Sequence, residues 1–380
     1  MALNELPRRQ NKKNIAIIVG ARPNFIKAVP LLREAKKHPE FHISLIHSGQ
    51  HFDEKMSKIF FDEMEIPKPD ISLNIQGDSH TERLGKMINT FKLVFGKNRF
   101  DAAIVFGDVN TTLAGGVSAV AASCSLIHIE AGLRSHDRRM PEEINRTVVD
   151  HISDLLFTTE PAANENLIKE NIAEAKIKYV GNLIIESIEI FWEKIKSSSI
   201  LDELGLNKKK YAITTIHRQE NTDNIHNLRQ ILLLLQNINK EIPLVFPLHP
   251  GTKKMISGYG LEDLLKNLYV IEPLGYLEFM KLVLESKGVV TDSGGIQEET
   301  THLGIPCCTL RDTTERPITI TLGSNKLFSL EVANAKAIGE HLNRGDFKAR
   351  NIPLWDDQVS KRIFNVLSLE YFNDGKRYEI

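Results

Sequence analysis

Residues 288–303 read GVVTDSGGIQEETTHL, and this stretch indicates the fold class of the chain. A short apolar run, Gly288–Thr291, leads into a turn with two adjacent glycines and then into a segment with helical spacing, Ile296–Leu303. Short Val- and Ile-rich runs followed by amphipathic segments are typical of parallel strands that helices cover on both faces. The stretch therefore predicts one strand-turn-helix unit of an open α/β sheet.

The same rhythm extends along the chain in both directions. In the first half we predict strands at Ile15–Val19, Ile43–His47, Ala102–Phe106, Leu126–Ile129, Leu155–Thr158 and Ile177–Val180. In the second half we predict strands at Tyr211–Ile216, Leu244–Pro247, Tyr269–Ile271, Gly288–Thr291 and Cys307–Leu310. Two such series predict two parallel α/β sheets. We place the boundary between them near residues 181–205, where a helical stretch is followed by three serines, 197–199. The helical pattern of residues 357–372 has one apolar face that must dock.

The composition excludes several classes of protein. The 380 residues suit about two domains, and 48 Lys and Arg against 49 Asp and Glu leave no overall field that would attract nucleic acid or an anionic membrane. No apolar run reaches ~20 residues and the first 14 residues lack the apolar centre of a signal peptide, so we expect a cytoplasmic protein without a membrane segment. Cys124, Cys307 and Cys308 have no disulfide or zinc spacing and are predicted to be buried thiols.

Ligands of open parallel sheets bind at the carboxyl ends of the strands, so the residues that follow each strand are the candidates for a site. After the first strand, Arg22 and Lys27 place two cations at the opening of a helix, which suits a phosphate or an acidic partner. Solvated surface side chains are the alternative. This turn has one glycine and lacks the spacing of a dinucleotide-binding loop, so a nicotinamide site is not expected.

Three carboxylates follow strands or open a helix in the first half. Asp108 follows the third predicted strand, Glu130 ends the fourth, and Glu142 lies at an apparent helix start. Each has a structural alternative: a helix cap for Asp108, an ion pair with Arg134 for Glu130, and the helix dipole for Glu142. Together, acids with different environments are what proton transfer at carbon requires.

Cationic and glycine-rich residues occupy the equivalent edge in the second half. His217 and Arg218 follow one strand, and the turn from Ser293 through Gly294 and Gly295 exposes backbone N–H groups that can bind a pyrophosphate. Glu299, one helical turn further, can accept hydrogen bonds from ribose hydroxyls. A plain glycine-rich turn is the alternative.

Taken together, the motifs resemble the non-hydrolysing UDP-N-acetylglucosamine 2-epimerases. They are GARPNFIK, GDVNTT, HIEAGLRS, PEEINR, HRQEN, PLHP, DSGGIQEE and RDTTERP, in this order from about residue 15 to 330. The resemblance implies a GT-B fold, with Rossmann-like domains at 1–182 and 183–356 flanking a deep cleft and a C-terminal segment, 357–380, packing back on the first domain. It also implies that the protein forms a homodimer and that its product is used in the biosynthesis of cell-surface polysaccharides.

The resemblance further implies the reaction and the site. UDP-N-acetylglucosamine and UDP-N-acetylmannosamine interconvert by elimination of UDP to 2-acetamidoglucal and re-addition, with no cofactor and no metal. The implied catalytic residues are Asp108, Glu130, Glu142 and His217, with acid and base unassigned among the carboxylates. The implied UDP-sugar-binding residues are Arg22, Lys27, Arg218, Phe279 (main chain, to uracil), Ser293, Gly294, Gly295, Glu299 (to ribose) and Arg316.

Other members of the fold leave alternatives open. Asp53 and Ser79 stand where effector-regulated members are expected to have Gln and Arg, which argues against an effector site. Residues 50–53 and 66–69 are similar to epimerases of UDP-2,3-diacetamido-2,3-dideoxyglucuronic acid, whereas residues 314–317 favour the N-acetylglucosamine enzymes. A hydrolysing UDP-N-acetylglucosamine 2-epimerase, a GT-B glycosyltransferase and a nucleotide-sugar sensor are the remaining alternatives.

Overall fold

The computed structural model describes residues 6–9, 11–49, 61–75, 80–345, 347 and 352–372. Its contacts divide the chain into two compact units. The first comprises Met1–Ile190 together with Pro353–Ile380, and the second comprises Phe191–Ile352.

The first unit contains a sheet of seven strands. They are β1 Lys13–Val19, β2 Phe41–His47, β3 Ile71–Ser72, β4 Ala102–Phe106, β5 Ser125–Ala131, β6 Leu155–Thr158 and β7 Ile177–Tyr179. The order is β3-β2-β1-β4-β5-β6-β7, and every neighbouring pair is parallel. The direction of strand addition reverses between β1 and β4, which is where open α/β sheets bind ligands. The helices are Arg22–Glu34, His80–Lys97, Asn110–Ala121, Pro141–Ile152, Pro161–Lys169, Leu183–Ile190 and Val359–Val366, with short 3-10 helices at Ala35–Lys37 and Glu174–Lys176 and a π-helix at Leu367–Tyr371.

The second unit contains a sheet of six parallel strands. They are β8 Ala212–Thr215, β9 Leu244–Pro247, β10 Tyr269–Ile271, β11 Val289–Thr291, β12 Cys307–Leu310 and β13 Asn325–Phe328. The order is β10-β9-β8-β11-β12-β13, so the reversal falls between β8 and β11. The helices are Trp192–Ser197, Ile200–Glu203, Gln219–Thr222, Ile225–Asn239, Pro250–Gly258, Tyr276–Glu285, Gly294–Leu303, Ile318–Thr321 and Ala335–Leu342, with 3-10 helices at Glu262–Leu265 and Val332–Asn334.

Alternation along the strands explains why both faces of the second sheet are covered. Successive residues of a strand point to opposite faces. Leu244 and Phe246 enter one apolar cluster, formed mainly with the helices Ile225–Asn239 and Ala335–Leu342, whereas Val245 enters a second cluster with residues of Tyr276–Glu285. Continuous apolar runs of this kind are therefore buried strands, which is the basis of the prediction from sequence.

The prediction of two parallel sheets is confirmed. Eleven predicted strands match strands of the structure within about two residues at each end, and β3 and β13 were not predicted. The helix predicted at Ile296 begins at Gly294, because the two glycines form its first turn rather than a separate loop. The three cysteines are buried and form no disulfide, as predicted.

The last segment of the chain packs within the first unit. Val359, Ile363 and Phe364 are fully buried, and the helix that carries them contacts the helix Arg22–Glu34. The Trp355 indole donates a hydrogen bond to the main-chain oxygen of Thr159 at 2.8 Å. Across the described residues, no helix combines the length and apolar character needed to cross a bilayer.

Candidate active site

A buried ion pair lies at the carboxyl edge of the first sheet. Lys27, in the second turn of the helix Arg22–Glu34, contacts the Glu130 carboxylate, and the two side chains are only 7% and 5% exposed. The turn at Gly107 passes directly over this pair, because a Cβ on Gly107 would lie 3.6 Å from both Glu130 Oε2 and Lys27 Nζ. Glu130 therefore pairs with Lys27, whereas the sequence had offered Arg134 as its partner.

The backbone of Glu130 adopts an unusual conformation. Its φ is +67°, in the left-handed region, and the pairing of β5 with β6 shifts register between Ile129 and Ala131. Left-handed backbone at a residue with a side chain costs of order 1–3 kcal/mol, and such residues cluster at functional sites. Bulges next to active sites re-aim side chains, so the bulge supports a functional role for this carboxylate.

Asp108 is held by the helix Pro141–Ile152. Arg146 on this helix pairs with the Asp108 carboxylate, which is 24% exposed, and Asn145 Nδ2 donates to the Asp108 main-chain oxygen at 2.8 Å. The N-cap of the next helix is Val109, without a side-chain cap. The capping role considered for Asp108 is therefore wrong.

The two acidic residues at the start of the helix Pro141–Ile152 have different environments. Glu143 is buried, and its carboxylate accepts hydrogen bonds from Ser135 N and Oγ at 2.9 Å and from His136 N at 2.9 Å. Burial would raise the pKa of Glu143, but the Ser135 bonds and Arg146 outweigh it and lower the pKa. Glu142, the residue predicted from the sequence, is partly exposed in the first turn of the helix.

A second buried network supports the Gly107 turn. The His128 ring joins Asp150 Oδ1, at 2.7 Å from Nδ1, to the main-chain oxygen of Gly107, at 2.8 Å from Nε2. Arg134 pairs with Asp150 at 2.7 Å and makes a bidentate contact with Glu170 at 2.7 and 2.8 Å. His128 and Asp150 were not predicted from sequence, because a histidine inside an apolar strand usually belongs to the core.

The two cations predicted after β1 have different environments. Arg22 is exposed at the first position of its helix, whereas Lys27 is buried against Glu130. The alternative of a solvated surface side chain is therefore wrong for Lys27, which has an acidic partner. Lys27 thus holds the carboxylate of Glu130 in place.

In the second unit, Asp292 organises the residues that follow β8. Its buried carboxylate accepts hydrogen bonds from the main-chain N–H groups of His217, at 3.1 and 3.2 Å, and Arg218, at 3.0 Å, and from Asn221 Nδ2 at 3.0 Å. The His217 ring lies with Nδ1 3.1 Å from Asp292 Oδ1. Burial would raise the pKa of Asp292, but His217 and these hydrogen bonds outweigh it and lower the pKa to about 2.

Three guanidinium groups surround one buried carboxylate. Arg218 Nη2 lies 3.5 Å from Glu315, Arg311 Nη1 lies 2.9 Å from it, and Arg316 contacts it directly. Arg316 Nε is also 2.9 Å from Glu298. Arg311 Nε also lies 4.0 Å from Glu220, so three carboxylates accompany the three guanidinium groups, whose N–H donors are of the kind that bind phosphate oxygens. Arg311 and Glu315 were not predicted, although both lie in a motif quoted above.

The helix Gly294–Leu303 begins beside this cluster. Its N-cap, Ser293, makes no side-chain cap hydrogen bond. A Cβ on Gly294 would lie 2.5 Å from Arg316 Nη1 and 2.7 Å from Glu315 Oε1, so only glycine allows the arginine to approach the helix start. A helix N-terminus with an adjacent guanidinium is a site for a phosphate.

Glu299 and Phe279 lie further along the same unit. Glu299 is buried and accepts a hydrogen bond from the Tyr276 hydroxyl at 3.1 Å. Phe279 is partly buried, and its main-chain N–H bonds to the Gly275 oxygen at 3.0 Å in the helix Tyr276–Glu285. Tyr276 was not predicted, and it fixes the carboxylate proposed to bind ribose.

Two predicted positions lie outside the described residues. They are Asp53 and Ser79, on which the expectation about an effector depends. Within the described part of the chain, no three His, Cys, Asp or Glu side chains are arranged to hold a metal ion.

Comparison with known proteins gives matches along nearly the whole chain. The family model described as UDP-N-acetylglucosamine 2-epimerase matches residues 33–368. A UDP-N-acetylglucosamine 2-epimerase of Methanococcus maripaludis is 41% identical over 362 residues, 93% of this chain and 98% of the relative. A UDP-2,3-diacetamido-2,3-dideoxy-D-glucuronate 2-epimerase of Pseudomonas aeruginosa is 40% identical over 317 residues, 82% of this chain and 87% of the relative. The crystal structure of Methanocaldococcus jannaschii UDP-GlcNAc 2-epimerase in complex with UDP-GlcNAc and UDP superposes with a TM-score of 0.88 at 38% identity, covering 93% of this chain and 99% of that one.

Proposed function

Because this chain belongs to the UDP-N-acetylglucosamine 2-epimerase family, we propose that it interconverts UDP-N-acetylglucosamine and UDP-N-acetylmannosamine, with UDP still attached in the product. The chain is an isomerase that acts on UDP-sugars. The predicted GT-B fold class is confirmed by the two parallel sheets and by the similarity to solved epimerases. The observation that carries the proposed chemistry is the buried carboxylate of Glu130, which lies at a β-bulge in the same unit as Asp108.

The chemistry explains why carboxylates and an anion site are both required. The C2 proton of the sugar is not next to a carbonyl, so its removal needs negative charge to depart elsewhere. As a base takes the C2 proton, the C2–H electron pair forms the C1=C2 double bond and UDP leaves with the C1–O electron pair, giving 2-acetamidoglucal. UDP then adds back to C1 while an acid protonates C2 from the opposite face.

We assign the proton transfers to the first unit. Glu130 and Asp108 are the proposed acid and base, and Glu142 is the proposed positioning carboxylate. Lys27 and Arg146 each hold one of the two reacting carboxylates, so the acids are fixed before the substrate arrives. Fixed groups lower the barrier because no reorganisation is needed at the moment of reaction.

We assign the binding of UDP to the second unit. The guanidinium groups around Glu315 and the start of the helix Gly294–Leu303 support a diphosphate site, because both present N–H donors to an anion. The proposed diphosphate ligands of this unit are Arg218, Ser293, Gly294, Gly295, Arg316 and His217. The buried carboxylate of Glu299 is proposed to accept from ribose, and the main chain at Phe279 is proposed to contact uracil.

Three further points of the proposal rest on the family resemblance. They are a homodimer, a product used in cell-surface polysaccharides, and the boundaries 1–182, 183–356 and 357–380. A cytoplasmic location, also proposed, rests on the lack of a long apolar run in the sequence. Size-exclusion chromatography with light scattering tests the dimer directly.

A second candidate substrate is UDP-2,3-diacetamido-2,3-dideoxyglucuronic acid. The relative from Pseudomonas aeruginosa that carries this name is 40% identical, against 41% for the N-acetylglucosamine relative. Both substrates have a 2-acetamido group next to a UDP-bearing C1, so the same carboxylates and anion site would act on either.

Proton NMR of the protein with UDP-N-acetylglucosamine in D2O tests the proposal. We expect UDP-N-acetylmannosamine to appear with deuterium at C2. Free N-acetylmannosamine and UDP would make the chain a hydrolysing enzyme, and turnover of the diacetamido-uronic substrate alone would establish the second candidate. No reaction with either substrate would overturn the proposed function.

Two variants test the assigned carboxylates. We expect Asp108→Asn and Glu130→Gln to bind UDP as the parent does, measured by calorimetry, and to lose turnover by ~10²-fold or more. Glu165→Gln, which removes an exposed carboxylate of the same unit, is the matched control and should keep full activity. A near-normal rate in either test variant would remove that residue from the mechanism.

A further inference from the structure

The carboxylate of Asp292 and the imidazole of His217 form a pair that the assigned roles do not use. Asp292 directly follows β11 and is fully buried, while the His217 side chain is 43% exposed. We propose that Asp292 is a positioning residue whose ionised carboxylate accepts a hydrogen bond from Nδ1–H of His217, so that the proton gained and lost by the ring is the one on Nε2. The proposal rests on the proposed function, in which His217 contacts the diphosphate.

The contacts of Asp292 fix its charge. Arg218 N and Asn221 Nδ2 donate to Oδ2 at 3.0 Å, and His217 N donates at 3.1 Å. These groups are donors only, so they stabilise the ionised carboxylate and not the protonated acid. The low pKa of Asp292, about 2, agrees with this assignment.

An ionised carboxylate dictates which ring nitrogen of His217 is protonated. Asp292 Oδ1, 3.1 Å from Nδ1, can only accept a hydrogen bond, so Nδ1 must carry a proton in both charge states of the ring. Nε2 then has a proton only in the imidazolium form. A proton at Nε2 is therefore always accompanied by positive charge, which stabilises a departing diphosphate more than a neutral donor does.

The surrounding charges fit this arrangement. The Arg218 guanidinium has its own acceptors, because its Nε donates to the Asp292 main-chain oxygen at 3.0 Å and its Nη2 donates to Glu315 at 3.5 Å. The His249 ring lies 6.3 Å from the His217 ring, centre to centre. Asp292 also directly precedes Ser293, so the same turn fixes both the histidine and the start of the helix Gly294–Leu303.

Asp292→Asn tests the proposal, because the hydrogen bonds dictate how the amide is oriented. Three donors meet at Oδ2, so the amide oxygen takes that position and its NH2 faces Nδ1 of His217. Nδ1 must then accept, and the proton of the neutral ring moves to Nε2. We expect long-range 1H–15N correlation spectra, assigned with His217→Gln, to show this change of tautomer, and turnover to fall by ~10²-fold with a smaller change in UDP affinity.

Asn221→Ala is the matched control, because it removes one donor from the same carboxylate without facing the ring. We expect it to keep the tautomer with the proton on Nδ1 and to lose much less turnover than Asp292→Asn. Equal losses in the two variants with an unchanged tautomer would assign Asp292 a structural role and overturn the proposal.

The unaltered protein supplies the decisive spectrum even if Asp292→Asn does not fold. A neutral His217 ring with its proton on Nε2 in the unaltered protein would overturn the proposal. This readout needs no substrate, so it stands apart from the NMR assay of the two UDP-sugars, whose failure would overturn the proposed function instead.

Discussion

The buried ion pair of Lys27 and Glu130 is a feature of this site that is expected to add little to the stability of the fold. A buried ion pair is commonly no more stable than apolar residues of the same volume, because both charges lose their hydration. Glu130 adds the cost of a left-handed backbone. Two unfavourable features at one residue are expected where the carboxylate itself is needed.

Lys27→Met tests how strongly the free energy of unfolding depends on the pairing of these two charges. The variant leaves the buried Glu130 carboxylate without its ammonium partner, and we expect the free energy of unfolding to fall by about 3–5 kcal/mol. The double variant Lys27→Met with Glu130→Gln removes both charges, so it should recover a large part of that loss while remaining inactive. Urea denaturation of both variants measures the difference.

Equal stability of the single and double variants would contradict this account of the pair. Glu130→Gln alone completes the double-mutant cycle. It separates the interaction energy of the pair from the effect of each side chain.

The sequence predicted that polar side chains follow the strands, but not which partner each of these side chains has. Asp108 and Glu130 follow predicted strands, and the topology of parallel sheets places strand ends at one edge. Glu142 and Glu143 are neighbours at a helix start, and their environments depend on the rotation of the helix, which is held by contacts such as that of Arg146 with Asp108, 38 residues away in the chain. Asp292 lies in a predicted motif, but its importance arises from donors more than 70 residues away in the chain.

At the scale of elements, the helix Val359–Val366 depends on a carboxylate from another helix. Glu186 accepts hydrogen bonds from Ser360 N at 2.6 Å and Ser360 Oγ at 2.5 Å, and thus satisfies the start of the helix. The His38 ring stacks on Phe364 of the same helix at 4.7 Å. Burial raises the pKa of Glu186 to about 7, although the Ser360 hydrogen bonds act in the opposite direction.

Glu186 makes the stability of the first unit depend on pH. Its folded pKa of about 7 exceeds its ordinary value of 4.5, so between these values the folded state holds a proton that the unfolded state has lost. The contribution of this group to stability is therefore full below about pH 4.5 and declines as pH rises through 7. The total change is about 3–4 kcal/mol at ~1.4 kcal/mol per pKa unit.

Glu186→Gln should remove this dependence, since the amide can accept from Ser360 N and donate to Ser360 Oγ. We expect the variant to melt at a higher temperature than the parent at pH 8.5 and at nearly the same temperature at pH 5. Thermal unfolding followed by circular dichroism measures both. A constant difference between the two proteins across this range would show that Glu186 does not titrate as described.

At the scale of the whole molecule, the first unit is formed from two separate parts of the chain. The second unit, Phe191–Ile352, lies between them in sequence. The apolar patterns predicted both sheets and the terminal helix because burial on two faces imposes continuous apolar runs. The strands β3 and β13 escaped prediction, because β3 has two residues and β13 begins with Asn325 and Lys326, whose polar character is compensated by tertiary contacts such as Asn325 with Thr309.

Truncation after Ile352 tests the contribution of the last segment. It removes Val359, Ile363 and Phe364, and each fully buried apolar side chain contributes about 1.5–3 kcal/mol. We expect hydrogen exchange to show lost protection in β1 to β7, with protection in β8 to β13 retained. Leu369→Ser, at an exposed position of the same segment, should leave both sheets protected. Loss of protection in both sheets after truncation would contradict two separate units.

The return of the chain to its first unit has a consequence for biosynthesis. Domains usually complete folding from the N-terminus as they emerge from the ribosome, at about 5–20 residues per second. Here the ribosome must translate the whole of Phe191–Ile352, roughly 10–30 s of elongation at that rate, before the helix that completes the first unit exists. The first unit therefore completes its folding last, although most of it is synthesised first. Until the C-terminal segment is made, the apolar surface on which it packs is exposed, and we expect chaperones to bind there.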